Sequence, residues 1–179
     1  MKKLFVTLLM LVIASVCTNV SARQFDPVTV TNIAGEKVTL PLRTPCIVTF
    51  YWENCHWCHK AMDCIRDTER EVREYLGEEM PIIDICWHSP NYFIACYDSE
   101  DEKQRIIQRF IDNRWETSKL YFIGGCKALF NYLAQYDLHE VPVIMSIGSD
   151  SNIRQTIVGY KPNLDEKLYD IIFNIAAAF

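Results

Sequence analysis

Apolar residues along the chain follow two different periods. Residues 46–52 (Cys-Ile-Val-Thr-Phe-Tyr-Trp) and 81–87 (Pro-Ile-Ile-Asp-Ile-Cys-Trp) are nearly unbroken β-prone runs of buried character. Between them Ala61, Cys64, Ile65, Thr68, Val72, Tyr75 and Leu76 recur every three or four positions, and Gly77 closes the pattern, which predicts a helix. Strand, helix and strand of this length imply a right-handed βαβ unit with parallel strands. Ahead of it, residues 28–31 and 37–40 predict a small hairpin packed at the entry to the domain. Behind it, Ile106, Ile107, Phe110 and Ile111 form one face of a helix from about residue 100 to 114, opened by the capping pair Ser99 and Glu102. Leu129, Phe130 and Leu133 point inward from a helix over 127–136. Residues 141–147 and 153–159 flank a turn and predict an antiparallel hairpin. Leu164, Leu168, Ile171, Ile172 and Ile175 mark a last helix capped by Asn163 and Glu166. No repeat or Pro/Gly/Ser-rich linker divides the chain, so residues 23–179 read as a single α/β domain.

The first 22 residues follow a different logic. Lys2 and Lys3 precede an apolar run over 4–16, and Val20-Ser21-Ala22 supplies small residues for cleavage, so residues 1–22 read as a secretory signal peptide. Lipid anchoring at Cys17 is the alternative, with bulky Val16 standing where a lipoprotein signal needs a small residue. The expected destination is an exported one, the bacterial periplasm. Half of the 179 residues are apolar and 23% are charged, which excludes disorder. A net charge of −5 with no basic run gives a nucleic-acid function no electrostatic footing. No stretch after the leader is long and apolar enough to span a membrane.

Export changes the meaning of the cysteines. Cys17 leaves with the leader, and Cys46, Cys55, Cys58, Cys64, Cys86, Cys96 and Cys126 remain in a compartment that permits disulfides. Cys46 and Cys64 read as core thiols, Cys86 and Cys96 as a candidate additional disulfide, and Cys126 has no assigned partner. His88 and His139 read as solvated loop residues.

Cys55-His56-Trp57-Cys58 has the spacing that carries chemistry, where a buried strand gives way to a helix. A thiolate at a helix N-terminus is stabilised by unpaired backbone N–H groups and the helix dipole, which suits Cys55 to act as nucleophile. Cys58, deeper in the first turn, suits the resolving role. The same residues admit other readings. Cys55-His56-Trp57-Cys58-His59 fits the c-type haem attachment pattern, and Cys55, His56, Cys58 and His59 include zinc or copper ligand types, although one helical turn does not readily aim all four at one ion. A redox-inactive interaction module is a further alternative.

The run from Val48 through Trp52-Glu53-Asn54-Cys55-His56-Trp57-Cys58-His59-Lys60 resembles the active-site strand and helix of the thioredoxin superfamily. Tyr136-Asp137-Leu138-His139-Glu140-Val141-Pro142-Val143-Ile144 resembles that family's approach to its cis-proline, and Val158-Gly159-Tyr160 fits the strand that follows. The resemblance runs from about residue 46 to the C-terminus, interrupted by what looks like a helical insertion at about 89–125. It implies a thioredoxin-like fold with a central mixed sheet flanked by helices. It also implies thiol-disulfide exchange with exported proteins through the Cys55–Cys58 redox pair, with no other cofactor and no metal. Its implied partners are protein thiols or disulfides and a second protein that recharges the pair. Pro142 would lie beside Cys55, and Val141 would offer the carbonyl and amide that pair with a substrate backbone.

Two departures from the family stand out. The buried acid that thioredoxins carry six residues before the first cysteine is Thr49 here, leaving Glu53 as a candidate replacement. The intervening pair is His-Trp, with His56 expected beside the Cys55 thiolate, favouring the reduced state, and Trp57 expected as an exposed docking surface.

Overall fold

The structure, a computed structural model, describes residues 23–77, 82–87, 100–124 and 126–176. The expected leader with Cys17, the capping residue Ser99, His88 and Cys96 lie outside the described residues, and with Cys96 so does the candidate Cys86–Cys96 pair.

Among the described residues seven strands, β1 (Val28–Asn32), β2 (Lys37–Leu40), β3 (Cys46–Trp52), β4 (Ile82–Trp87), β5 (Leu120–Phe122), β6 (Val143–Ile147) and β7 (Ile153–Val158), form one central sheet in the order β2-β1-β5-β4-β3-β6-β7. Its middle strand β3 (Cys46–Trp52) is buried at every position but the last, as β-branched and aromatic residues favour when both faces of a sheet are covered. β4 (Ile82–Trp87) runs parallel to it, with Ile47 opposite Ile82 and Thr49 opposite Asp84. A parallel neighbour requires a crossover, and helix α1 (His56–Leu76) supplies it. Its buried stripe is Cys58, Ala61, Met62, Ile65, Thr68, Glu69 and Val72. Gly77 ends the helix at φ +74°, in the left-handed region where a side chain is disfavoured, and its N–H bonds the Arg73 carbonyl. Tyr75, expected on the buried face, is 74% exposed and rests its ring near Phe173.

The other side of β3 pairs antiparallel with β6 (Val143–Ile147), which turns back into β7 (Ile153–Val158). The first hairpin, β1 (Val28–Asn32) with β2 (Lys37–Leu40), forms the opposite edge of the sheet.

The segment expected to be a helical insertion is helical only in part. Helix α2 (Glu100–Asp112) buries Ile106 and Phe110, but Ile111, expected on the same face, is 54% exposed. A 3-10 turn at Thr117–Lys119 leads into β5 (Leu120–Phe122). This strand lies parallel to β4 and antiparallel to β1, and so joins the N-terminal hairpin to the main sheet. Three residues are too few to display a period of two, which is why sequence patterning passes over β5.

Helix α3 (Cys126–Ala134) buries Leu129, Tyr132 and Leu133, whereas Phe130 is partly exposed and stacks on Trp52. Helix α4 (Leu164–Ala176) packs against α1 and buries Leu164, Leu168, Ile171 and Ile172. Helices thus cover the sheet, and β3 delivers its C-terminal end directly to the start of α1.

Candidate active site

β3 ends in a tight turn in which the Cys55 N–H donates to the Trp52 carbonyl at 3.2 Å. Cys55 then caps α1 in an extended conformation (φ −92°, ψ 109°), and its Sγ accepts the Cys58 backbone N–H at 3.2 Å. That contact is the capping bond a Ser or Asp oxygen would make, with sulfur in its place. The first turn of α1 contains no acidic residue to oppose negative charge on that sulfur. Cys55 is half-buried and Cys58 fully buried, and the two are joined by a disulfide with Cα atoms 5.1 Å apart.

Val141 and Pro142 come to the same end of the sheet. Phe50 faces Val143 in the β3–β6 ladder, so the residues preceding Val143 run alongside the last residues of β3, which lead to Cys55. The Val141–Pro142 peptide bond is cis, as is Leu40–Pro41. Pro142 is buried, Val141 is half-buried, and the Pro142 carbonyl accepts the Gly159 N–H at 2.8 Å.

The two residues between the cysteines carry rings that cluster with Tyr160 and Lys60. Trp57 is 53% exposed and lies nearly parallel to Tyr160, with centroids 5.3 Å apart. The Lys60 ammonium sits 4.9 Å from the Trp57 ring centre, and His56 meets that ring edge-on at 5.3 Å. His56 is thus exposed against Trp57.

Glu53 is buried, and its carboxylate accepts from Arg109 Nε of α2 at 3.1 Å. Its backbone carbonyl meets His59 Nε2 at 2.5 Å. The far side of the His59 ring packs edge-on against Trp115, whose indole N–H donates to Asp63 at 3.0 Å.

An acid that sequence reasoning missed stands on β4, in register with Thr49 of β3. Thr49 Oγ1 donates to Asp84 Oδ1 at 2.7 Å, and Asp84 is fully buried. Arg66 of α1 pairs with Asp84 and also with Glu69 at 3.0 Å, and Lys119 bridges Glu69 to Glu116. A signal was available: one carboxylate stands inside the otherwise apolar run Ile82-Ile83-Asp84-Ile85.

The other described thiols differ from the pair. Cys46 is fully buried, and burial pushes its pKa up to about 11. Cys64, expected in the core, is half-buried at a cleft with Asp67, Glu71, Asp165 and Glu166, and burial together with Asp165, Asp67 and Asp63 raises its pKa. His139 is exposed and within 3.2 Å of Asp137. Among the described residues no three His, Cys, Asp or Glu side chains are grouped to hold a metal ion. No described helix is long and apolar enough to cross a membrane.

No family model and no curated protein sequence matches the chain. Solved structures do resemble it in fold. A putative protein disulfide isomerase from Bacteroides thetaiotaomicron superposes with a TM-score of 0.65 at 16% identity, over 87% of this chain and 89% of that one. The thioredoxin domain of a thiol-disulfide oxidoreductase from Bacteroides vulgatus gives 0.62 at 13% identity, over 84% and 96%. A copper-bound ScoI from Arabidopsis thaliana gives 0.60 at 12% identity, over 88% and 100%. With a mixed sheet of this order, flanking helices and these neighbours, the chain has the thioredoxin-like fold.

Proposed function

We propose that the protein is a thiol-disulfide oxidoreductase acting on exported proteins, with Cys55 as the nucleophile and Cys58 as the resolving thiol. One observation carries this reading: the half-exposed Cys55 sulfur caps α1 and accepts the Cys58 N–H while bonded to the buried Cys58 sulfur. A thiolate released at Cys55 keeps a backbone donor and the helix dipole, whereas one at Cys58 is buried.

In the oxidising direction a substrate thiolate attacks Cys55 Sγ, the Cys55–Cys58 bond breaks, and Cys58 leaves as a thiolate that takes up a proton. A second substrate thiolate then attacks the substrate sulfur of the mixed disulfide and expels Cys55. Two substrate thiols become one disulfide, and the pair gains two electrons and two protons. Reduction is the reverse. Val141, beside the cis bond to Pro142, offers its backbone N–H and carbonyl for a substrate strand to pair with, and Trp57 with Tyr160 offers it an aromatic surface. His56, whose ring meets Trp57, and Glu53, paired with Arg109 in the turn before Cys55, modulate the site.

Alkylation rate against pH tests the role assignment. An inflection clearly below about 8.5 that disappears in Cys55→Ser supports it, and one that disappears only in Cys58→Ser reverses it. Equilibration with glutathione decides direction, a potential near about −120 mV marking an oxidant and one near about −270 mV a reductant. Export through residues 1–22 is tested by the mature N-terminus, expected at Arg23. Covalently attached haem, or stoichiometric copper or zinc retained by the exported protein, would contradict the redox reading.

A further inference from the structure

The turn that presents Cys55 is gripped from two sides. Glu53 lies inside the turn closed by the Cys55 N–H and the Trp52 carbonyl. Its carboxylate is held by Arg109, and its carbonyl by His59. His59 is itself one turn into α1, its N–H bonded to the Cys55 carbonyl at 3.1 Å. Its ring cannot swing away freely, because Trp115 meets it edge-on at 5.5 Å and the Trp115 indole is anchored to Asp63 on the same helix. Phe110 packs against both Trp115 and Tyr51, which fixes α2 to the end of β3. Arg109, Phe110 and Trp115 all belong to the segment between β4 and β5. That segment therefore contributes a guanidinium and an indole to the surroundings of a turn more than fifty residues earlier in the chain (separation 56 for Glu53 and Arg109).

We propose that His59 is a positioning residue for Cys55, and that the α2 segment, through Arg109 and Trp115, is the brace that holds it in that role. The inference rests on the oxidoreductase reading above. The capping bond from the Cys58 N–H stabilises negative charge on Cys55 only while the turn keeps the sulfur over the helix end, so restraining Glu53 at both its polar ends restrains the acidity of the thiol. Since a carbonyl oxygen only accepts, His59 must carry its proton on Nε2. The charged and titratable groups at this end include Glu53 and Arg109 across the turn, His56, Lys60 and Asp63 on α1, and His139, Glu140 and Lys161 from the loops around Val141 and Gly159.

The test compares four variants of the full exported protein, among them Arg109→Ala alone, by alkylation against pH, with thermal unfolding as the control for folding. His59→Phe keeps the ring against Trp115 and loses the bond to the Glu53 carbonyl. It should move the Cys55 inflection up by roughly half a unit, about threefold in thiolate fraction at a fixed lower pH. His59→Gln retains a donor and should recover part of that shift. The double variant Glu53→Gln with Arg109→Ala removes the ion pair without changing net charge, and it should still raise the inflection. Variants that titrate with the wild type overturn the proposal. So does a shift seen in Arg109→Ala but absent from the double variant, because the effect is then long-range charge alone. A wild-type protein that exchanges disulfides normally beside indifferent variants contradicts only the brace, whereas a wild type with no low inflection contradicts the function itself. Independently of activity, nitrogen NMR of the His59 imidazole should give the Nε2–H tautomer, and an Nδ1–H tautomer would overturn the inference.

Discussion

Thr49 on β3 donates its hydroxyl proton to Asp84 on β4 across 2.7 Å, at the register position where the two residues face each other between parallel strands. Thioredoxins, by the resemblance described above, carry a buried acid at the place Thr49 occupies. Here the acid stands one strand across, where it also receives Arg66 from the active-site helix. Glu53, the candidate replacement suggested by sequence, is buried and pairs with Arg109.

Removing Asp84 takes away the acceptor of Thr49 and leaves Arg66 with Glu69. Breaking a buried pair from one side is strongly destabilising, so Asp84→Ala should cost about 3 kcal/mol in urea unfolding. Thr49→Val should cost about 1 kcal/mol. Because the two share one bond, the double variant should lose less than the sum, with a coupling of at least about 0.5 kcal/mol. Strict additivity would mean that the hydroxyl and carboxylate do not interact.

Cys46 gives a pH dependence of known sign. Its thiol ionises near 9 when exposed and about 11 in the folded protein, so the folded state holds the proton that the unfolded state loses. The stabilisation is complete below pH 9 and is lost as pH rises through about 11. Urea midpoints should fall between these limits, and Cys46→Ala should show a shallower fall than the wild type. Native protein at neutral pH should leave Cys46 unalkylated.

Trp57 tests the aromatic surface. It is half-exposed, and its contacts with Tyr160 and Lys60 are on the surface, so Trp57→Ala should cost less than about 1 kcal/mol in stability. If the ring receives protein substrates, kcat/KM for a protein disulfide should drop by roughly tenfold. Turnover of a small disulfide such as oxidised glutathione should change much less. Equal losses on both would place Trp57 in the chemistry and not in docking.

The strand-turn-helix that carries Cys55 was legible because each part announces itself locally. Residues 46–52 are an unbroken β-prone run, and the buried stripe of α1 repeats at helical spacing. Periodicity does not measure how wide the buried face is, which is why Tyr75 and Ile111 fit the helical stripe in sequence and yet are exposed. The grip on Glu53 was not legible. Its members Arg109 and Trp115 lie in another element, and no spacing rule links a guanidinium to a carboxylate at such a distance in sequence. Asp84 was readable as an anomaly, but its partners Thr49, Arg66 and the neighbouring Lys119–Glu69 pair emerge only when β4 is seated beside β3 and β5.

The central claim is that Cys55 forms the bond to substrates, and covalent trapping tests it most directly. Cys58→Ala, expressed with its leader in its own cells, removes the resolving thiol and should accumulate mixed disulfides visible on non-reducing gels. Those adducts should collapse with dithiothreitol and be absent from Cys55→Ala. Adducts that persist in Cys55→Ala, or a Cys58→Ala protein that captures no partner while the wild type still turns over protein disulfides, would contradict the assignment of Cys55 as the attacking and attacked sulfur.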